Sequence, residues 1–200
     1  MADFDIAHAK SMGNEGGYAN NPADTGGETY MGVARNFHPK WQGWRHVDAT
    51  KANMTQMPTY GTNSYFAWAR QLNRTAAANP ALQKLVIDLY ESVYWRGNRL
   101  GEIDNQDVAN QIYDWAVNTG SRGNTWIQEA LGVTADGVIG PKTLKAINTA
   151  DPVVLLTNAR KFAKEHRLKM CEDHPSQKQF LAGWLRRDGF SVDEIQGLIA

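Results

Sequence analysis

The sequence predicts a mainly α-helical protein with a small hairpin-and-turn region near its N-terminus. Apolar residues recur at helical spacing beyond residue 79, as in Leu82, Leu85, Val86, Leu89 and Val93. Three pairs, Asn79-Pro80, Gly140-Pro141 and Asp151-Pro152, place proline where a helix opens. Between residues 18 and 33, by contrast, Pro22, Gly26, Gly27 and Gly32 stand among short polar residues, which suits turns and a small hairpin.

Taken in order, residues 3–14 read as a helix, with Asp3 or Asp5 as N-cap and Phe4, Ile6, Ala7 and Met12 as its apolar members. Gly16-Gly17 ends it, because glycine accepts the left-handed conformation of a C-cap at little cost. After the turn region, Phe37, Trp41, Trp44 and Val47 suggest a short helix and an ordered loop, and residues 51–64 a surface connection. Beyond that the chain reads as almost wholly helical. The segments expected are one opening at Asn79-Pro80, one over about 105–118 with Val108, Ile112, Trp115 and Ala116 on one face, short ones over about 123–131 and 141–149, a long one from Pro152 to about 172, and two more at the end. A soft boundary is placed near Leu100-Gly101, giving modules over 1–100 and 101–200.

Two hundred residues with 42% hydrophobic content and seven tryptophans can bury a proper core. The 21 basic and 21 acidic residues cancel, so nothing points to nucleic acid. Cys171 has no cysteine partner and reads as a spectator thiol on a helix. The five histidines show no metal-ligand spacing, and there is no phosphate loop or dinucleotide fingerprint, so neither metal nor cofactor is expected. No segment approaches the roughly 18 consecutive apolar residues of a membrane span. The N-terminus, Met1-Ala2-Asp3-Phe4-Asp5, carries no basic region followed by an apolar stretch. The expectation is a soluble monomer made in the cytoplasm.

The chemistry is concentrated in the first thirty residues. Glu15 closes the first helix within Glu15-Gly16-Gly17-Tyr18, and Asp24 follows nine residues later within Asn21-Pro22-Ala23-Asp24-Thr25-Gly26-Gly27-Glu28-Thr29. Glycoside hydrolysis requires an acid to protonate the leaving oxygen and usually a second carboxylate to attack or to position water. A helix C-terminus is the negative end of the macrodipole, and with burial beside Tyr18 or Trp95 it would raise the pKa of Glu15. Asp24, among Asn20, Asn21 and Thr25, would stay ionised, and such a split separates acid from base. On spacing alone the same residues also read as an ordinary helix ending and an ordinary turn.

The wider string decides between these. With Gly32-Val33, His38-Pro39, Trp41 and Gly43-Trp44 added, it strongly resembles the N-acetylmuramidases of glycoside hydrolase family 108, enzymes of the phage and prophage endolysin type, some of which serve in protein secretion. The resemblance implies a lysozyme-like helical fold and cleavage of the β-1,4 bond between N-acetylmuramic acid and N-acetylglucosamine. It carries the catalytic glutamate onto Glu15. Phage-type lysozymes place an aspartate nine residues after the acid, where Asp24 stands, and a threonine about six beyond that, one position past Thr29.

The second half carries Asp114-Trp115-Ala116-Val117-Asn118-Thr119-Gly120, Ile127-Gln128-Glu129-Ala130-Leu131-Gly132-Val133 and Asp136-Gly137-Val138-Ile139-Gly140-Pro141-Lys142-Thr143-Leu144. It resembles the predicted peptidoglycan-binding domain that accompanies this catalytic module. Physically, Asp136-Gly137 makes a tight turn, Val138 and Ile139 anchor it, and Gly140-Pro141 opens the next helix. Sugar rings pair with flat aromatic faces, which makes Tyr18 and Trp95 candidates for substrate binding, and Asn118 a candidate for a sugar amide.

The leading expectation is therefore a peptidoglycan hydrolase. Glu15 would act as general acid, Asp24 would position water or stabilise the transition state, and Thr29 would help hold that water. Bacterial peptidoglycan is the expected partner, reached through a holin or a dedicated export route. The competing readings are a non-catalytic wall-binding or secretion accessory protein, and a lytic transglycosylase.

Overall fold

The computed structural model describes residues 1–12, 17–24 and 26–199. In chain order its elements are helix α1 (Phe4–Met12), strands β1 (Tyr18–Ala19), β2 (Thr29–Tyr30) and β3 (Val33–Ala34), and helices α2 (Gly43–Ala52), α3 (Asn63–Ala77), α4 (Pro80–Tyr90), α5 (Gln106–Thr119), α6 (Arg122–Ala130), α7 (Pro141–Thr149), α8 (Pro152–Asp173), α9 (Lys178–Arg187) and α10 (Val192–Ile199). The mainly helical class expected from the sequence is the class observed. The expected hairpin is a three-stranded antiparallel sheet in the order β1-β2-β3.

The chain divides into two compact units, Met12–Glu91 and a second made of Met1–Ser11 with Ser92–Ala200. The N-terminal residues show why the start of the chain falls in the second of these. The Ala2 amide donates to the Ile103 carbonyl at 2.7 Å, and Asp3 exchanges hydrogen bonds with the Gln106 side chain. Phe4 lies edge-on to Trp95 and Tyr113. The start of α1 thus belongs with the later helices. Its cap is Asp3, whose Oδ1 accepts from the Asp5 and Ile6 amides, and only Ala7 of its residues is buried, with Ile6 exposed.

In the unit Met12–Glu91, the sheet is built on α3 and α4. Thr62 Oγ1 caps α3 by accepting from the Tyr65 amide, and Asn79 Oδ1 caps α4 by accepting from the Leu82 amide, with Pro80 supplying a pre-set φ at the first turn. Helix α3 buries Tyr65, Trp68, Ala69, Leu72 and Ala76. Trp68 Nε1 donates to the Thr55 carbonyl, which fastens the connection over 53–62 to the helix. Trp41 and Trp44 pack at right angles with their indole N–H groups on the carbonyls of Leu85 and His38; Trp44 is buried in the core and Trp41 half-buried against it. Registers Tyr18↔Tyr30 and Tyr30↔Val33 put three buried side chains on one face of the sheet.

In the other unit, α5, α6 and α8 form the centre, and Trp115 and Trp126 meet edge to face. The turn at Asp136-Gly137 is held by Gln128, whose Oε1 accepts from the Gly137 amide and whose Nε2 donates to Asp136 Oδ1 and the Val138 carbonyl. Ile139 is buried as expected, but Val138 is exposed; a polar side chain replaces it as anchor. Cys171 lies buried on α8 with Leu181, Leu185 and Ile195 of the last two helices.

Candidate active site

Glu15, the expected acid, lies outside the described residues, as do Gly16 and Thr25. The chain is described again from Gly17. Three of the other expected site residues, Tyr18, Asp24 and Thr29, lie together in the unit Met12–Glu91, on β1, on the following turn and on β2.

Asp24 is an exposed turn residue with its own local fixture. Its Oδ1 accepts from the Gly26 amide at 2.8 Å, its carbonyl from the Gly27 amide at 3.0 Å, and its amide donates to the Asn21 carbonyl at 3.0 Å. These are the hydrogen bonds of an Asx turn. They orient the carboxylate while leaving it in contact with solvent, a setting in which it can hold water. Thr29 is half-buried on β2, paired with Ala19 and Ala34, and its Oγ1 donates to the Gly27 carbonyl at 3.2 Å.

Tyr18, expected as a face for sugar stacking, is buried. Its ring meets Trp68 edge-on, and its hydroxyl donates to Glu28 Oε1 at 2.8 Å. Burial, and then the Glu28 carboxylate, push the Tyr18 phenol far above its ordinary value, so it stays a donor at any working pH. Trp95, also expected to bind substrate, is likewise only 5% exposed, and Phe4 and Tyr113 close on its ring. Asn118 is exposed at the end of α5 and turns its amide back to the Asp114 carbonyl at 2.6 Å. Trp95 and Asn118 belong to the other compact unit.

The residue that sequence reasoning missed is Glu28. Its side chain is only 11% exposed and accepts from Tyr18 and from Lys51 Nζ through Oε1, while Oε2 pairs with Arg35 Nε at 3.0 Å. Arg35 also binds Asp48 at 2.7 Å and stacks on Trp44 at 4.3 Å; Lys51 reaches Asp48 at 3.0 Å. Burial opposes the Asp48 charge, but hydrogen bonds from Arg35 and Lys51 outweigh it and hold its carboxyl below the usual range. Two cations thus balance two carboxylates beneath the sheet, and the arrangement locks β1, β2 and α2 together. The i, i+3 pair Asp48 and Lys51 on α2 was a legible signal; that both belong with Glu28 was not. Among the described residues no three His, Cys, Asp or Glu side chains gather as metal ligands would. No helix among them is long and apolar enough to cross a membrane.

The family model for glycosyl hydrolase 108 matches residues 9–120, more than half of the 200-residue chain. The chain belongs to the glycosyl hydrolase 108 family. A second model, the predicted peptidoglycan domain, matches residues 122–189. Together they make this glycosyl hydrolase a hydrolase directed at peptidoglycan. Among solved structures, the Brucella abortus protein SagA is similar over 98% of this chain and 92% of its own, with 23% identity and a TM-score of 0.60. That likeness establishes the lysozyme-like fold of the glycosyl hydrolase. No curated protein matches it.

Proposed function

We propose that this glycosyl hydrolase is an N-acetylmuramidase of the lysozyme type, cleaving the β-1,4 bond between N-acetylmuramic acid and N-acetylglucosamine. Glu15 protonates the glycosidic oxygen as the bond breaks. Asp24 holds the water or stabilises the oxocarbenium-like transition state, and Thr29 helps fix that water. The observation that carries this reading is the exposed, turn-oriented carboxylate of Asp24, nine residues after Glu15 in a chain of this family. Buried Tyr18 supports the scaffold through Glu28 and does not stack on sugar, and Trp95 is left out of the sugar contacts for the same reason.

The modules expected over 1–100 and 101–200 correspond in this reading to cleavage and to attachment to the wall, the second supported by the peptidoglycan domain match over 122–189. Export by a holin or a dedicated route would bring the protein to its polymer, in a phage lysis or a secretion role. Digestion of purified peptidoglycan, followed by borohydride reduction and mass spectrometry, tests the bond assignment. Reduced N-acetylmuramic ends are expected. Reduced N-acetylglucosamine ends would move the cut to the other glycosidic bond, and anhydromuramic ends would make the enzyme a lytic transglycosylase.

A further inference from the structure

Helices α2 and α3 lie in contact and leave a groove of about 250 Å³ beside them, within the unit Met12–Glu91. No Asp, Glu, Lys or Arg lines it, and no residue of the turn that carries Asp24 does. Its polar walls are amides, hydroxyls and one imidazole, with Ala49 and Met54 as the apolar members. Sites for drug-sized ligands begin at about 300 Å³, so this groove has room for one small ring.

Local hydrogen bonds decide what the groove offers. Thr50 and Thr75 each spend their hydroxyl proton on the carbonyl one helical turn back, that of His46 at 2.9 Å and that of Gln71 at 3.2 Å. Asn53 Nδ2 likewise donates to the Ala49 carbonyl at 2.9 Å. The side-chain oxygens of all three remain as acceptors. Asn79 Oδ1 is taken by the Leu82 amide, so its Nδ2 is the group that meets His46 Nδ1 at 3.1 Å. An amide N–H donates, so His46 Nδ1 accepts and the ring carries its proton on Nε2. The Gln71 side chain is exposed and makes no hydrogen bond among the described residues. The groove thus combines three oriented acceptors with donors on His46 and Gln71, beside a Met54 thioether that adapts to apolar surface.

We propose that this groove is a sugar-binding subsite that takes one N-acetylglucosamine unit of the glycan strand. The sugar brings several hydroxyl donors to the acceptors, an acetamido carbonyl to accept from His46 or Gln71, and an apolar C–H face for Met54. It carries no charge, which suits walls without a charged residue. The carboxylates of a wall peptide would be desolvated there without a counter-ion. Bonds within the protein already orient His46, Thr50, Asn53, Thr75 and Asn79, so little rotamer freedom is lost on binding. The assignment rests on peptidoglycan as the polymer, and on neither Glu15 nor the bond that is cut.

The test is a backbone-amide shift titration of the full chain with tri-N-acetylchitotriose, cellotriose and the dipeptide L-Ala-D-Glu. Saturable shifts at Ala49, Asn53, Gln71 and Thr75 are expected with tri-N-acetylchitotriose. Gln71→Ala combined with Thr75→Val removes two hydrogen-bonding groups that tie no other element to α3, and should weaken the binding read at Asn53 about 5- to 100-fold. Ala49→Trp fills the groove without removing a hydrogen bond and should abolish the shifts at Asn53, Gln71 and Thr75; it decides the matter if the double variant does not fold. Groove amides that stay silent with tri-N-acetylchitotriose, or that shift equally in Ala49→Trp, overturn the proposal. Cellotriose lacks the acetamido group, and its binding as tightly overturns the proposal too, as does tighter binding of the dipeptide. The readout is binding, so reducing ends of another kind in the peptidoglycan digest would overturn the bond assignment alone, and a silent groove would overturn the subsite alone.

Discussion

The Tyr90 hydroxyl donates to the Met31 carbonyl at 2.9 Å, at the tip of the two-residue turn that joins β2 to β3. Met31 and Gly32 both adopt positive φ, 44° and 77°, the conformation that matches a tight hairpin to strand twist. The Tyr90 hydroxyl also occupies the space a side chain on Gly32 would need. Gly32→Ala is expected to destabilise by more than about 1 kcal/mol, from left-handed strain plus that collision. Urea melts of Gly32→Ala with and without Tyr90→Phe check this. The second change should relieve the collision and leave the strain; an unchanged midpoint in Gly32→Ala would rule the argument out.

Glu28 is the anionic centre of the charge cluster under the sheet. Glu28→Gln keeps the shape but leaves Lys51 and Arg35 facing a neutral amide, with only Asp48 to balance them. The two cations are partly exposed, so the expected cost is about 1–3 kcal/mol rather than that of a fully buried pair. Denaturant unfolding measures it, and a loss below about 0.5 kcal/mol, within the range of ordinary surface changes, would show the cluster to be ornamental.

Asp188 is fully buried, and it pairs with Arg167 and accepts from Trp115 Nε1 at 2.9 Å. Arg167 lies 5.2 Å from the ring centres of both Trp126 and Trp184. Asp188→Leu strands a buried guanidinium and should cost about 3–5 kcal/mol. The double variant Asp188→Leu with Arg167→Met removes both charges and should be less destabilised than Asp188→Leu alone. The double-mutant cycle reads this directly; strict additivity would mean the pair does not interact.

His8, His38 and His166 are each held below the ordinary histidine value of 6.5, chiefly because burial disfavours the charged ring. Asp5 partly opposes the shift at His8, while Arg122 and Arg167 add to it at His166. Lowered folded values mean that the unfolded chain binds protons first as the pH drops. The stabilisation is complete above pH 6.5 and is lost as pH falls through the folded values. Urea midpoints at about pH 7.5 and about pH 5.5 are expected to differ, the lower pH being less stable. A midpoint equal or higher at the acid pH would contradict this.

Helix openings were the most legible part of the fold, because their cause is local. Asn79-Pro80 and Asp151-Pro152 each combine a capping side chain with a proline that has no amide to lose, and both start helices where expected. Asp3 caps α1 for the same reason. The strands have two residues each, too short for any periodic signal, and their registers come from contacts with α3 and α4 rather than from their own composition. The π-helical turn Glu91–Arg96 was equally invisible, since no residue preference marks it. At the site, Asp24 was legible as a turn carboxylate, whereas the burial of Tyr18 and Trp95 was not. An aromatic ring serves core and sugar equally well, and only its neighbours, Trp68 for one and Phe4 with Tyr113 for the other, decide between the two. Glu28 draws its significance from partners that only folding gathers, Tyr18, Arg35 and, 23 residues on, Lys51, which spacing within a motif does not reveal.

The central claim is that Glu15 supplies the proton for glycosidic cleavage. The most direct measurement is the rate at which purified peptidoglycan yields new reducing ends with wild type and with folded Glu15→Gln. A loss of about 100-fold or more, with wall binding retained, is the expected result, since that is what a general acid contributes. Cleavage by Glu15→Gln at the wild-type rate would contradict it.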